Sequence, residues 1–289
     1  MRLKPRAFDY VRATSLQDVF GVLDTHGDEA RILAGGQSLV PAMNMRLAAP
    51  EIVVDVNAVA ALRGITVEAD VLRIGAMSRY VEVAASDLVA RHAPLVAQAI
   101  PFIAHPAIRN RGTLGGSLCN ADPASELPAV ALAQRAVFNI SSSAGDRAVA
   151  ARDFFISTYT TALAPNEVLV SVDIPVAGLG SLVYFDELVR RRGDYAMAGL
   201  AACAERRDGT LADVQLVFFA VSDVPVAAPS AMELVEGRAA GAVDVDAVCD
   251  ALGRDVTPLA DLTTSSAAKL HLMTVLTRRA LAAFAAGEA

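Results

Sequence analysis

Two glycine-rich runs stand out by residue type and spacing. Ala34-Gly35-Gly36-Gln37-Ser38, with Leu39 after it, follows a short apolar stretch, and Thr113-Leu114-Gly115-Gly116-Ser117 follows Ile108-Arg109-Asn110-Arg111-Gly112. Paired glycines lack Cβ, so backbone N–H groups approach an anion closely, and the Ser and Thr hydroxyls donate further bonds to phosphate oxygens. One such loop serves one phosphate. Two, about 80 residues apart, suit a ligand with two phosphates gripped from both sides. Alone, Gly35-Gly36 reads as readily as a tight turn. The second run is stronger, because a buried stretch of this kind needs ligand bonds for its amides.

Neither run fits G-x-G-x-x-G, and no G-x-x-x-x-G-K followed by Ser or Thr occurs, so Rossmann and P-loop nucleotide sites lack their defining residues. The two runs, then Ala121-Asp122-Pro123-Ala124-Ser125-Glu126-Leu127-Pro128 and Arg190-Arg191-Arg192-Gly193-Asp194-Tyr195-Ala196, resemble the FAD-binding medium subunit of molybdenum hydroxylases, the family of carbon monoxide dehydrogenase and xanthine dehydrogenase. These motifs span residues 34–196, and the length of 289 residues also fits.

The resemblance implies an α+β fold. A two-part FAD-binding domain of the vanillyl-alcohol-oxidase/PCMH type is expected over residues 1–177, with subdomains about 1–58 and 59–177. A C-terminal α+β domain, a three-stranded sheet with helices, is expected over 178–289. It further implies that Ala34, Gly35, Gly36, Gln37 and Ser38, with Thr113, Gly115, Gly116 and Ser117, hold the FAD pyrophosphate, and that Leu39 is a cofactor-binding position. Glu126 takes the place of an acidic residue near the flavin nucleotide, Ile103 and Leu169 count among the cofactor-binding positions, and Tyr195 lies over the isoalloxazine. Gln37 stands where many members have His and Ser117 where many have Asn; both keep hydrogen-bonding capacity.

The function implied is electron transfer. Substrate is hydroxylated at a molybdenum-pterin cofactor in a separate large subunit, electrons pass through two [2Fe-2S] clusters in a small subunit to FAD here, and the flavin reduces an external acceptor. The implied assembly is a dimer of heterotrimers. This chain then needs no catalytic acid–base pair and no metal of its own, since the flavin does the redox chemistry. Its three cysteines, Cys119, Cys203 and Cys249, form no C-x-x-C pair and cannot ligate a cluster, so the iron must lie in another chain. The competing reading, a self-contained flavin oxidase or a reductase like the UDP-N-acetylenolpyruvoylglucosamine reductases, needs a substrate pocket with a proton donor. No cluster of that kind is evident in the C-terminal half.

Some residues stay open. Tyr195 fits a flavin edge or half-buried packing. His105 either contacts the cofactor or is satisfied by backbone. Arg109 and Arg111 either neutralise pyrophosphate or serve structure, and Cys119 reads as a small buried filler.

The elements that must position these residues follow from pattern and composition. Hydrophobic residues are 54% and charged residues 20%, with net charge −7 and scattered basic residues, which excludes disorder and a nucleic-acid footprint. No apolar run reaches the ~18–20 residues of a membrane span, and no secretory signal follows the N-terminus, so a cytoplasmic location is expected. Thr14 or Ser15 caps a helix through Leu16, Val19, Phe20 and Leu23 that Gly27 stops. Strands at 31–34 and 52–56 follow in βαβ-like order, then a hairpin at 65–74. Ser78 is the expected N-cap of a helix reaching Val89, and Pro94 opens another. Residues 105–120 read as neither helix nor strand. A helix at 127–132, strands at 137–140 and 168–172, and a turn at 141–145 come next. The flexible segment 176–181 marks a boundary; strands at 182–188, 197–204 and 214–221 follow it, and the last helix carries Met273, Leu276, Ala280 and Phe284 on one face.

Overall fold

A computed structural model describes residues 4–287. The start of the N-terminal stretch read for a signal, and both outer limits of the expected domains, lie outside the described residues.

The first sheet is parallel and three-stranded, in the order β1-β3-β2, with β1 at Asp9–Arg12, β2 at Ala30–Leu33 and β3 at Ile52–Asp55. The helix Leu16–His26 crosses from β1 to β2. Ser15 caps it, accepting from the Asp18 amide while the Asp18 carboxylate accepts from the Ser15 amide, and Gly27 ends it. Its buried Val19 and Leu23 pack with Val54 and Val56. The short helix Leu39–Asn44 carries the chain from β2 to β3. Beyond the sequence reading is β1, whose residues Asp-Tyr-Val-Arg are mostly exposed and show no hydrophobic alternation.

The second sheet is antiparallel, in the order β4-β5-β10-β6-β7. Its strands are β4 (Ile65–Glu68), β5 (Val71–Gly75), β6 (Val137–Ser142), β7 (Gly145–Ala150) and β10 (Val168–Pro175); a small ribbon, β8 (Phe155–Ser157) with β9 (Thr160–Thr161), precedes β10. The expected hairpin at 65–74 is β4-β5. The turn expected over 141–145 is shorter, because β6 runs through Ser142 and the polar edge strand β7 starts at Gly145.

Short helices bridge β5 and β6. The single helix expected behind Ser78 is two, Tyr80–Ala84 and Asp87–His92, because Ser86 breaks the run and caps the second. Residues 105–120, expected to be irregular, contain the helices Pro106–Arg109 and Leu114–Asn120. Pro106 starts the first, and Thr113 caps the second by accepting from the Gly116 amide at 3.1 Å. The helix Glu126–Ala133 follows.

The C-terminal sheet is β11 (Ser181–Leu188), β12 (Ala198–Arg207), β13 (Thr210–Phe219) and β14 (Val226–Ala227), all antiparallel. The two-residue β14 extends the expected three strands to four. Alternation along the strands gives it two buried faces. Leu182, Leu200 and Phe218 meet Met273, Leu276, Ala280 and Phe284 of the helix Ser266–Ala286. Val183, Phe185, Val217 and Phe219 join the same core as Leu127, Val130 and Phe138. That second face is the seam between the C-terminal sheet and the preceding elements.

Candidate functional site

The two glycine runs are adjacent in space. A Cβ built on Gly35 would fall 2.3 Å from the Arg111 carbonyl oxygen and 2.9 Å from the Gly112 Cα. One built on Gly116 would lie 2.7 Å from Thr113 Oγ1 and 3.5 Å from the Ala34 methyl. Only residues without Cβ allow this approach.

The runs use their amides differently. Among the described residues, the N–H groups of Ala34, Gly35, Gly36, Gln37, Ser38 and Leu39 find no acceptor. Gly36 takes the left-handed φ of +74° that turns the chain into the helix Leu39–Asn44. In the second run, by contrast, Leu114 N donates to Ser78 O, Gly115 N to Ala76 O, Gly116 N to Thr113 Oγ1 and Ser117 N to Thr113 O. The sequence argument that this run needs ligand bonds for its amides is therefore corrected: capping by Thr113 and packing on residues 76–78 satisfy them internally. What it contributes is close approach, with Gly115 seated on Ala76, where a Cβ would come within 2.5 Å.

A cavity of about 350 Å³ opens at the first run, lined by residues 33–37, Val40, Pro41, Asp55, Asn57 and Arg111. Asp55 and Asn57 had no signal in the sequence, because the register of β3 alone brings them there. Asn57 Nδ2 donates to Ala34 O at 2.8 Å and to Asp55 Oδ1 at 2.7 Å, and Gln37 Nε2 donates to Gly35 O at 3.2 Å, so side chains pin the carbonyls of Ala34 and Gly35 while the loop's amides stay without acceptors. Burial opposes ionisation of Asp55, but hydrogen bonds from Tyr10 and Asn57 outweigh it and hold the carboxyl below its usual range. Arg111 pairs with no carboxylate among the described residues. Consecutive free amides at residues 34–37 and the unpaired Arg111 guanidinium at one cavity make a donor set that fits a diphosphate. The residues present fit FAD.

Arg109 is structural: its guanidinium donates to the carbonyls of Pro101, Ile103 and Ala104. Ile103 and Leu169 are core residues, 6% and 4% exposed, and neither lines that cavity. Ser117 Oγ lies 2.8 Å from Ser125 Oγ, joining the second run to the acidic loop.

In that loop Asp122 Oδ1 accepts from the Ala124 amide at 3.0 Å and Oδ2 from the Tyr159 hydroxyl at 3.1 Å. Burial pushes the Glu126 carboxyl up to about 7, with the charge of Asp122 adding to the effect. Across the seam, burial and then the charges of Glu126 and Asp186 push Glu187 of β11 up to about 8, and its Oε2 has no partner among the described residues. Tyr195 is 73% exposed and follows the Gly193 turn. Partial desolvation and then the charges of Asp122 and Glu126 raise its phenol. His105 packs on the Tyr195 turn; its ring would lie 2.3 Å from a Cβ on Gly193.

Comparison with known proteins shows the family. Residues 6–177 match the family described as FAD binding domain in molybdopterin dehydrogenase, and residues 183–284 match the CO dehydrogenase flavoprotein C-terminal domain. The 6-hydroxypseudooxynicotine dehydrogenase complex subunit alpha of Paenarthrobacter nicotinovorans is 42% identical over 200 residues, covering 69% of this chain and 68% of that one. Caffeine dehydrogenase subunit beta of Pseudomonas sp. strain CBB1 is 35% identical, covering 97% and 95%. The solved structure of carbon monoxide dehydrogenase from Hydrogenophaga pseudoflava superposes with a TM-score of 0.95 at 34% identity, covering 99% of both chains. The chain belongs to the family of FAD-binding medium subunits of molybdenum hydroxylases.

Proposed function

We propose that this chain receives electrons from the [2Fe-2S] clusters of a small subunit and passes them to an external acceptor, serving a large subunit that oxidises substrate at a molybdenum-pterin cofactor. The complex is a dimer of heterotrimers in the cytoplasm; among the described residues no helix is long and apolar enough to cross a membrane. Residues 1–177 form the FAD-binding domain, divided near residue 58, and 178–289 form the C-terminal domain.

Bound FAD would supply the redox chemistry, exchanging electrons with a cluster on one side and an acceptor on the other. The protein's part is to bind and orient. The amides of residues 34–39 and the Arg111 guanidinium take the diphosphate, while Thr113, Gly115, Gly116 and Ser117 form the opposite wall, with Gly116 kept small for approach. Glu126 and Asp122 face the nucleotide, Ile103 and Leu169 supply apolar backing, and Tyr195 covers the ring system and limits its contact with water.

The unsatisfied amides of residues 34–37 at one cavity are the observation that carries this reading. The test is to titrate the full chain with FAD and then mix it with its small and large partners. FAD should bind one per chain without a covalent bond, and substrate oxidation should require all three components. A chain that binds no FAD, or that oxidises the substrate alone, overturns the reading.

A further inference from the structure

Lys269, in the first turn of the helix Ser266–Ala286, is buried at 5% exposure. Its Nζ pairs with Asp261 Oδ2 at 2.8 Å and donates to the Ala220 carbonyl at 2.6 Å. Asp261 is held in turn by the amides of Thr263 and Thr264. A buried ammonium is tolerated only with its partners in place, so the position of the Ala220 carbonyl is tightly defined.

Ala220 follows the end of β13 with a φ of +62°, a left-handed conformation that alanine seldom adopts. In that conformation its N–H donates across the seam to Pro123 O at 2.8 Å. Pro123 follows Asp122, which Tyr159 and the Ala124 amide hold on its other sides. A continuous path of bonds thus runs from Asp261 through Lys269, Ala220 and Pro123 to Asp122.

We propose that Lys269 is a positioning residue of the FAD site: by fixing the Ala220 peptide it sets the acidic loop 121–126 from the far side of the seam. This rests on the reading that the acidic loop faces the cofactor. A purely structural lysine would stabilise the C-terminal sheet without influencing what FAD feels.

The test uses the full chain with FAD, reading affinity by flavin fluorescence, the visible spectrum of the bound flavin, and thermal stability. Lys269→Met removes a charged hydrogen bond and should weaken FAD binding roughly tenfold, with a shifted flavin spectrum. Lys269→Arg should recover most of both. Asp261→Asn, which leaves the lysine in place, should fall between, and it serves if the methionine variant fails to fold. Combined with Asp122→Ala, Lys269→Met should add nothing to the loss from Asp122→Ala alone. Lower stability with unchanged affinity and spectrum, or additive losses in the double variant, overturns the role of Lys269. If Asp122→Ala binds FAD as well as the native chain, the reading of the acidic loop fails and the proposal falls with it.

Discussion

Gly35 and Arg111 meet backbone to backbone: a methyl on Gly35 would lie 2.3 Å from the Arg111 carbonyl oxygen, far inside contact distance. The two glycine runs meet in one surface, closed where Gly35 has no side chain to interpose. Gly35→Ala should therefore separate them. We expect FAD affinity to fall at least tenfold and stability to drop by about 1–3 kcal/mol, read by flavin titration and thermal melting. Wild-type affinity would show that the contact does not shape the site.

Asn57 pins the first run through Ala34 O, while its own amide is fixed by Asp55. Asn57→Ala should loosen residues 34–38 and weaken FAD binding several-fold, with stability lowered by about 1 kcal/mol. Isothermal titration against denaturant unfolding separates the two effects.

Tyr195 is exposed and contributes little to packing, so Tyr195→Ala should leave the melting temperature nearly unchanged. The bound-flavin spectrum and the rate of flavin reoxidation should change. If only stability moves, the Tyr195 turn does not belong to the site.

Glu126 and Glu187 should make stability fall as pH rises. A glutamate ordinarily titrates near 4.5, whereas burial lifts these carboxyls to about 7 and about 8 in the folded chain. Between those limits the folded state holds the extra protons, so unfolding releases them and becomes easier with increasing pH. The melting temperature should decline from about pH 5 to about pH 8, and Glu187→Gln should flatten the upper part of that decline. An unchanged slope in the variant would place the titration elsewhere.

Local chemistry made much of the fold legible before any coordinates. The Ser15 cap, the Gly27 stop, the β4-β5 hairpin and the apolar face of the last helix all depend on neighbours in sequence, and all are present. What stayed hidden depends on distant partners. The strand β1 is polar and exists because β3 lies beside it. The helix Leu114–Asn120 carries two glycines that lower its propensity, and Thr113 with residues 76–78 compensates. The first glycine run was recognisable, but Asn57 and Asp55, which hold it open, are brought there only by the register of β3 with β2.

The two-sided burial of the C-terminal sheet has a practical consequence for anyone dividing this gene. Expressed without residues 1–177, the sheet would present Val183, Phe185, Val217 and Phe219 to water on a broad flat face. Such a fragment should self-associate and precipitate, and the complementary fragment, stripped of its cover over Leu127 and Val130, should do the same. Each half should therefore depend on the other to stay folded. Recombinant truncations will need co-expression of both pieces, whatever the boundary chosen between them.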